Sequence, residues 1–284
     1  MKLLGNISDK RLIIYVLIII VCVVTIGIAV YFQFFYSSDM LTDINNENGE
    51  SVESEEARNE RLRTEFNLSF SNTIRKNSVE EKNIQRVDAT RDIVYTIYEI
   101  DLYQENKYDI NLNIPYLNID SPAAKEINKE IDNIFGSKAN DVIQSEYILS
   151  IYNLDYIAYL NDTILSILIK ATLKEQDYPQ RVIVKTYNYD IINNNIISLD
   201  DLLSKKNLDR TEVYNKTIKE IESVMKENEL FAEAGYEVFK RDINDERYFP
   251  ENTDTFFLDQ NNYLYLIYAY GNNNFTSELD MIIF

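Results

Sequence analysis

One long apolar run near the start of the chain constrains its fold more than any other feature. The run begins at Leu12 and ends at Phe35, LIIYVLIIIVCVVTIGIAVYFQFF, and its 24 residues carry no charge. As a helix rising about 1.5 Å per residue it would reach roughly 36 Å, and the hydrocarbon core of a bilayer is about 30 Å thick. The sequence therefore predicts a transmembrane helix over residues 12–36.

The end of this run distinguishes an anchor from a cleaved signal peptide. A signal peptide has an apolar region of only about 7–15 residues, followed by small side chains at the cleavage site. Here the end of the run is aromatic, as in the belts that lie at membrane interfaces, with Tyr31, Phe32, Phe34, Phe35 and Tyr36. We therefore expect the helix to remain in the mature protein.

The charges on either side of the run predict its orientation. Lys10 and Arg11 precede it, whereas Asp39 and Asp43 follow it. Because basic residues favour the cytoplasmic side, we expect a single-pass protein of the cell membrane with a cytoplasmic N-terminus and an extracytoplasmic C-terminal part. Residues 1–11 form the predicted cytoplasmic end, which is too short to fold or to hold a partner.

Composition excludes several classes of function. The formal net charge is −19, and an acidic surface repels phosphate backbones, so nucleic acid is not an expected partner. The chain has no histidine, which excludes Ser-His-Asp triads and histidine metal sites. Its one cysteine, Cys22, lies in the apolar run and leaves no disulfide or thiolate cluster. We expect no catalytic, cofactor-binding or metal-binding residues.

Beyond the anchor, the pattern predicts a spacer and then folded structure. Residues 37–92 are polar and charged, which is typical of a solvated stalk. Charged residues four positions apart also fit a short helix around Ser54–Arg63, but only weakly. Alternating residues then predict two strands that pair as a hairpin, DIVYTIYEIDLY and YDINLNIPYL. In the second, Ile110, Leu112 and Ile114 share one side, and Asp109, Asn111 and Asn113 share the other.

Two helices are predicted from their caps and apolar stripes. Ser121 is a good N-cap and Pro122 suits the first turn, ahead of a stripe of Ala124, Ile127, Ile131, Ile134, Phe135 and Val142. Asp209 caps a second helix, expected to end near Lys226, and a short helical turn is expected after Ser198.

Further strands complete the predicted fold. Three strands are expected between the two helices and three at the C-terminus, where YLYLIYAY is apolar on both sides, as in a central strand. The fold class predicted is α+β: an N-terminal single transmembrane helix, a polar stalk, then antiparallel sheets with two packed helices. The two exterior α+β domains are expected at residues 93–192 and 193–284.

The exterior part resembles a known pair of domains. YDINLNIPYLNIDSPAAKEINKEI, VKTYNYDIINNNIISLDDLL and FFLDQNNYLYLIYAYGNNNFTSELDMIIF are similar to linked extracytoplasmic domains of unknown function. That pair occurs in the outer part of the anti-sigma-V factor, a membrane-bound lysozyme sensor, and ahead of the catalytic domain of peptidoglycan deacetylase C. The resemblance implies a deacetylase-C-type domain at 93–192 and an anti-sigma-V-type domain at 193–284.

The resemblance also implies a ligand and its contacts. In the sensor the pair binds lysozyme, a basic protein, partly through a Pro-Tyr loop near the end of the domain. The matching positions here are Ala269, Tyr270 and Gly271, so alanine replaces the proline. By this match Tyr270, Gly271 and Asn272 are the expected ligand contacts. The deacetylase chemistry is not implied, because it needs two histidines on a metal.

Three functions remain open from the sequence. The first is a non-catalytic binding module for a cell-envelope ligand, such as peptidoglycan, or for a basic protein such as lysozyme. The second is a cell-wall hydrolase that uses carboxylates alone, since acidic residues cluster around Asp200–Asp201 and Asp242–Glu246. Their spacing matches no calcium loop and is typical of solvated turns. The third is an envelope scaffold.

Overall fold

A computed structural model describes residues 53–77, 84–145, 149–178, 180–236, 238–270 and 278–284. The predicted cytoplasmic end and the apolar run from Leu12 to Phe35 lie outside these residues. Within the described ranges, no helix combines the length and the apolar character needed to cross a membrane. The chain divides into two compact units, Met1–Arg58 and Asn59–Phe284. The second unit is α+β, as predicted.

A mixed seven-stranded sheet forms the centre of this unit. Its strands lie in the order β2-β3-β4-β5-β6-β7, and β1 also pairs with β4. They are β1 (Thr73–Lys76), β2 (Val94–Gln104), β3 (Tyr108–Leu117), β4 (Ser150–Asn161), β5 (Ile164–Glu175), β6 (Arg181–Asp190) and β7 (Asn195–Ile196).

The prediction of antiparallel sheets is wrong for this sheet. Both β3 and β1 run parallel to β4, while the other pairs are antiparallel. The helical connection after β3 carries the chain back to the end of the sheet where β3 begins. A crossover of that kind produces parallel neighbours, whereas a tight hairpin produces antiparallel ones.

The helical connection between β3 and β4 packs on one face of the sheet. It comprises α2 (Pro122–Ile131), a π-helical turn (Asp132–Gly136) and α3 (Ser137–Gln144). The predicted cap is confirmed, because the Ser121 hydroxyl accepts a hydrogen bond from the N–H of Ala124 at 3.0 Å. The predicted stripe is wrong at Ile134, which is 39% exposed, whereas Phe135 is buried. The wider π-helical turn changes which side chain faces the core.

The C-terminal part supplies two helices and a small antiparallel sheet. The helices are α4 (Leu199–Lys206), with the expected Ser198–Asp201 capping box, and α5 (Arg210–Glu233), which is longer than predicted. The sheet has the order β10-β9-β8, formed by β8 (Phe256–Leu258), β9 (Leu264–Tyr270) and β10 (Glu278–Ile283). As predicted, β9 is a central strand with buried residues on both sides.

Three apolar clusters hold these layers together. One lies between the large sheet and α2–α3, and a second lies between the small sheet and α4–α5. The third joins the two sheets, where Ile157 and Leu168 of the large sheet meet Phe257 and Tyr265 of the small one. The expected boundary between residues 192 and 193 therefore falls inside the compact unit Asn59–Phe284.

The predicted stalk is wrong for its described middle portion. Helix α1 (Glu55–Leu68) buries Leu62 and Phe66, and the Phe66 ring stacks on Phe257 with centroids 5.9 Å apart. Strand β1 follows and pairs with β4. Apolar residues at every fourth position, Leu62, Phe66, Phe70 and Ile74, interrupt the charged sequence and provide the side chains that pack.

Candidate functional site

One half-face of the large sheet is polar and open. On β3, Ile110 and Leu112 are buried in the core beneath α2, so Asn111 between them points to the opposite face. Neighbouring strands repeat this alternation. We call this surface the acidic face, and it comprises Glu99, Asp101, Asp109, Asn111, Asn113, Asn153 and Asp155. Lys170 and Lys174 of β5 border it on the side away from β2.

The register places these side chains in rows across the sheet. Asp101 on β2 is opposite Asn111, which is opposite Asn153 on β4, and Thr172 on β5 completes the row. With strands about 4.8 Å apart, four strands span about 15 Å. A second row places Tyr103 beside Asp109. The acidic face is therefore broad enough to contact a macromolecule.

Hydrogen bonds fix one corner of the acidic face. The Asp155 carboxylate accepts from the side-chain amides of Asn72, at 2.8 Å, and Asn113, at 3.0 Å. Asn72 has a left-handed backbone, with φ of 57°, and its side-chain oxygen accepts from the N–H of Tyr156. This corner links the acidic face to the loop that precedes β1.

The polar side chains at the centre of the acidic face have no partner among the described residues. Asp101, Asp109, Asn111 and Asn153 are exposed. Within the described ranges of the chain these four side chains make no hydrogen bond or ion pair. Their donors and acceptors are available to a partner, and the carboxylates favour a basic one.

The predicted contact residue Tyr270 lies in a buried polar cluster. It is the last residue of β9 and is 3% exposed, and its hydroxyl lies 2.7 Å from that of Tyr248. The guanidinium carbons of Arg241 and Arg247 lie 4.7 and 5.1 Å from the centre of its ring. Burial raises the pKa of Tyr270, and the nearby Asp280 raises it further.

Arg241 holds this cluster together. It makes a two-point contact with Asp280, at 2.6 and 2.8 Å, and also donates to Glu278 at 2.8 Å. Burial alone would lower the pKa of Arg241, but the hydrogen bonds and charges of Asp280 and Glu278 outweigh it, so the pKa lies above its ordinary value. The cluster joins the end of β9 to the start of β10, the two strands on either side of the segment of residues 271–277.

That segment contains the other two predicted contacts. Gly271 and Asn272 lie outside the described residues, and the Tyr270 side chain points into the protein. The ligand contact at these three positions stays a prediction. The structure does not bring Tyr270 together with the acidic face through any contact among the described residues.

A small cavity lies beside the third apolar cluster. It has a volume of about 20 Å³ and is lined by polar and apolar side chains, including Asp259, Gln260, Tyr159, Tyr265, Leu62 and Phe66. Burial raises the pKa of Asp259, although hydrogen bonds from the N–H groups of Tyr263 and Asn261 oppose the shift. A cavity of this size holds about one water molecule, whereas sites for small organic ligands occupy roughly 300–1,000 Å³.

The sequence predicts only part of the acidic face. The alternation in YDINLNIPYL correctly separated Asp109, Asn111 and Asn113 from the apolar side of β3. Asn153 and Asp155 were missed as members of the same surface. Their signal was the alternation in SIYNLDY, but which strands lie side by side depends on the sheet order.

The comparisons with known proteins identify a distant structural similarity. No family model matches the chain, and no curated protein matches its sequence. The chain is structurally similar to a DUF3298 family protein from Pseudomonas aeruginosa PAO1, at 12% identity and a TM-score of 0.39, over 66% of this chain and 85% of that one.

A second bacterial structure in the comparison belongs to the same DUF3298 family as the first. A member of the DUF3298 family from Bacteroides fragilis is 12% identical, with a TM-score of 0.29, over 61% of this chain and 81% of that one. Both similarities are distant.

Proposed function

We propose that this chain is a non-catalytic binding module, anchored in the cell membrane and displayed outside it, whose partner is a basic protein such as lysozyme. The observation that carries the proposal is the acidic face, where exposed carboxylates and amides have no partner in the described part of the chain. The net charge of −19 adds long-range attraction for a cationic protein. The apolar run from Leu12 to Phe35 is the proposed anchor.

The resemblance noted in the sequence supports the same proposal. The order of the quoted segments matches the paired extracytoplasmic domains of the anti-sigma-V factor and of deacetylase C, and we assign residues 93–284 to that pair. The sensor of that family binds lysozyme. Peptidoglycan is the second ligand to test, because exposed amides such as those of Asn111 and Asn153 can donate hydrogen bonds to sugar hydroxyls and accept them.

The geometry weighs against the hydrolase alternative. Asp259 is the carboxyl with a raised pKa in the described part of the chain, as a general acid would need. Its cavity has space for a water molecule but not for a sugar ring. An envelope scaffold has no observation in its favour.

A binding experiment tests the proposal. The full chain in detergent micelles is titrated with hen egg-white lysozyme in a calorimeter, first at low and then at high salt. We expect binding that weakens as salt screens the charges. The variant Asp101→Lys/Asp109→Lys should weaken binding by roughly tenfold or more, because it places like charges opposite each other.

A matched variant controls for net charge. Glu222 and Glu229 are exposed on α5, and Glu222→Lys/Glu229→Lys changes the total charge by the same amount as the first variant. It should retain most of the affinity. If both variants bind equally, or if the unmodified chain binds neither lysozyme nor soluble peptidoglycan fragments, the proposed function is wrong.

A further inference from the structure

Strand β2 lies at one edge of the large sheet, and among the described strands it pairs only with β3, so its other backbone edge has no described partner. From Ile97 onward its residues are exposed except for Ile100, and Tyr98, Leu102 and Tyr103 are 52%, 41% and 72% exposed. An edge strand presents unpaired N–H and C=O groups on which another extended segment can add.

The residues of β2 determine which kind of segment could pair with this edge. Exposed edges are often protected by lysine or proline, and β2, VYTIYEIDLYQ, contains neither of them and no arginine. Its charged side chains, Glu99 and Asp101, both lie on the acidic face. The opposite side carries Tyr98, Ile100 and Leu102, which are opposite Ile114, Leu112 and Ile110 on β3. One side of the strand is therefore acidic and the other apolar.

The alternation of side chains along β2 defines which extended segment would fit beside this strand. An added strand continues the pleat, so its alternate side chains would lie next to Glu99 and Asp101 on one face and next to Tyr98 and Leu102 on the other. Basic residues on the first face and apolar residues on the second would match both. The irregularity between Thr96 and Tyr98 limits regular pairing to the stretch that follows it.

We propose that this edge of β2 is where the basic partner docks, by adding an extended segment alongside residues 97–104. This inference rests on the proposed function and specifies the part of the partner that is recognised: an extended segment with alternating basic and apolar residues. A second copy of this chain is a poor match. Pairing two β2 strands would place Glu99 and Asp101 beside equal charges, which destabilises the pair.

Synthetic peptides separate edge pairing from simple attraction of charge. The probe is a peptide of about ten residues in which lysine alternates with valine, N-methylated at every second residue so that one edge keeps its N–H groups. The control has the same sequence and charge but is N-methylated on both edges. We expect the first peptide to bind the full chain in micelles and the control to bind roughly tenfold more weakly or worse, because β-pairing needs main-chain donors.

Two further measurements test the role of the acidic side chains and the position of the bound peptide. Glu99→Lys/Asp101→Lys should abolish binding of the lysine peptide and permit binding of the matching glutamate peptide, with circular dichroism confirming that the fold is kept. Hydrogen exchange at residues 97–104 should slow when the lysine peptide binds, whereas exchange in α5 should not change.

The outcomes distinguish this inference from the proposed function. Equal binding of the two methylated peptides would mean that the acidic face attracts charge without pairing, and the inference would be wrong. It would also be wrong if light scattering showed a dimer with slowed exchange at residues 97–104, since a second copy would then occupy the edge. In either case lysozyme binding by the unmodified chain would leave the proposed function intact.

Discussion

At the scale of single residues, buried polar side chains hold together segments that sequence analysis treated as separate. Asp190, at the end of β6, is 3% exposed. Its carboxylate accepts from the N–H groups of Ile192 and Asn193 and from Lys205 on α4, the last at 3.2 Å. Burial would raise the pKa of Asp190, but the hydrogen bonds from Asn193, Ile192 and Lys205 outweigh it and the pKa is lowered.

The sign of this shift predicts how stability depends on pH. The folded-state pKa of Asp190 lies below 3.8, its ordinary value, so the ionised carboxylate stabilises the fold above that pH. The contribution is lost as the pH falls through the folded-state pKa. We expect Asp190→Asn to lower the free energy of unfolding by about 1–3 kcal/mol at neutral pH, and by less near pH 3.

Urea unfolding followed by circular dichroism at the two pH values measures this difference. Glu222→Gln, an exposed change on α5 that removes the same charge, should alter stability by less than about 0.5 kcal/mol at both. If Asp190→Asn instead lowers the free energy of unfolding by the same amount at both pH values, that result would contradict a stabilising role for the ionised Asp190 carboxylate.

At the scale of elements, the large sheet completes the hydrogen bonding of the small one through side chains. β8 pairs with β9 on one side. On the other, Thr186 accepts from the N–H of Phe256 at 3.1 Å, and Ser166 accepts from that of Leu258 at the same distance. Asn188 donates to the carbonyl of Phe256 at 2.8 Å. Thr186, Ser166 and Asn188 therefore connect the two sheets by hydrogen bonds, although the strands that carry them are otherwise largely apolar.

Removing one of these hydrogen-bond acceptors should lower the stability of the protein. Thr186→Val keeps the shape of the side chain but leaves the N–H of Phe256 without that acceptor in a buried layer, so we expect a loss of about 1–3 kcal/mol in the free energy of unfolding. Thr172→Val is the matched control, because Thr172 lies beside the acidic face and its hydroxyl makes no hydrogen bond among the described residues. Thermal unfolding of the two variants compares them, and equal melting temperatures would show that the contact contributes nothing.

The helices show which local signals predict an element and which do not. The N-cap residues correctly predicted where α2, α4 and α5 begin. In each cap a side-chain oxygen accepts from a backbone N–H only two or three residues later, so the contact depends on local geometry alone. Helix α1 was assigned to the stalk, because half of its residues are charged and the charge spacing over Ser54–Arg63 favours a helix only weakly. Only its contact with Phe257 and the rest of the third apolar cluster gives Leu62 and Phe66 an interior to face.

At the scale of the whole molecule, the membrane anchor remains a prediction from the apolar run. We expect the chain to sediment with membranes and to be released by detergent, and a chain lacking residues 1–36 to stay in the soluble fraction. A tag at the C-terminus should be digested by protease added to intact spheroplasts, while a cytoplasmic marker survives. Protection of the tag would overturn the predicted orientation.

The sequence by itself determined the local features: the caps, the side of β3 that carries Asp109, Asn111 and Asn113, and the absence of histidine chemistry. These depend on residues a few positions apart, or on composition alone. Only the tertiary structure decided that β1 and β3 run parallel to β4, that Asn72 reaches Asp155, and that Tyr270 is buried beside Arg241. Such contacts join residues far apart in the chain, and hydrophobic periodicity carries no information about which strands become neighbours.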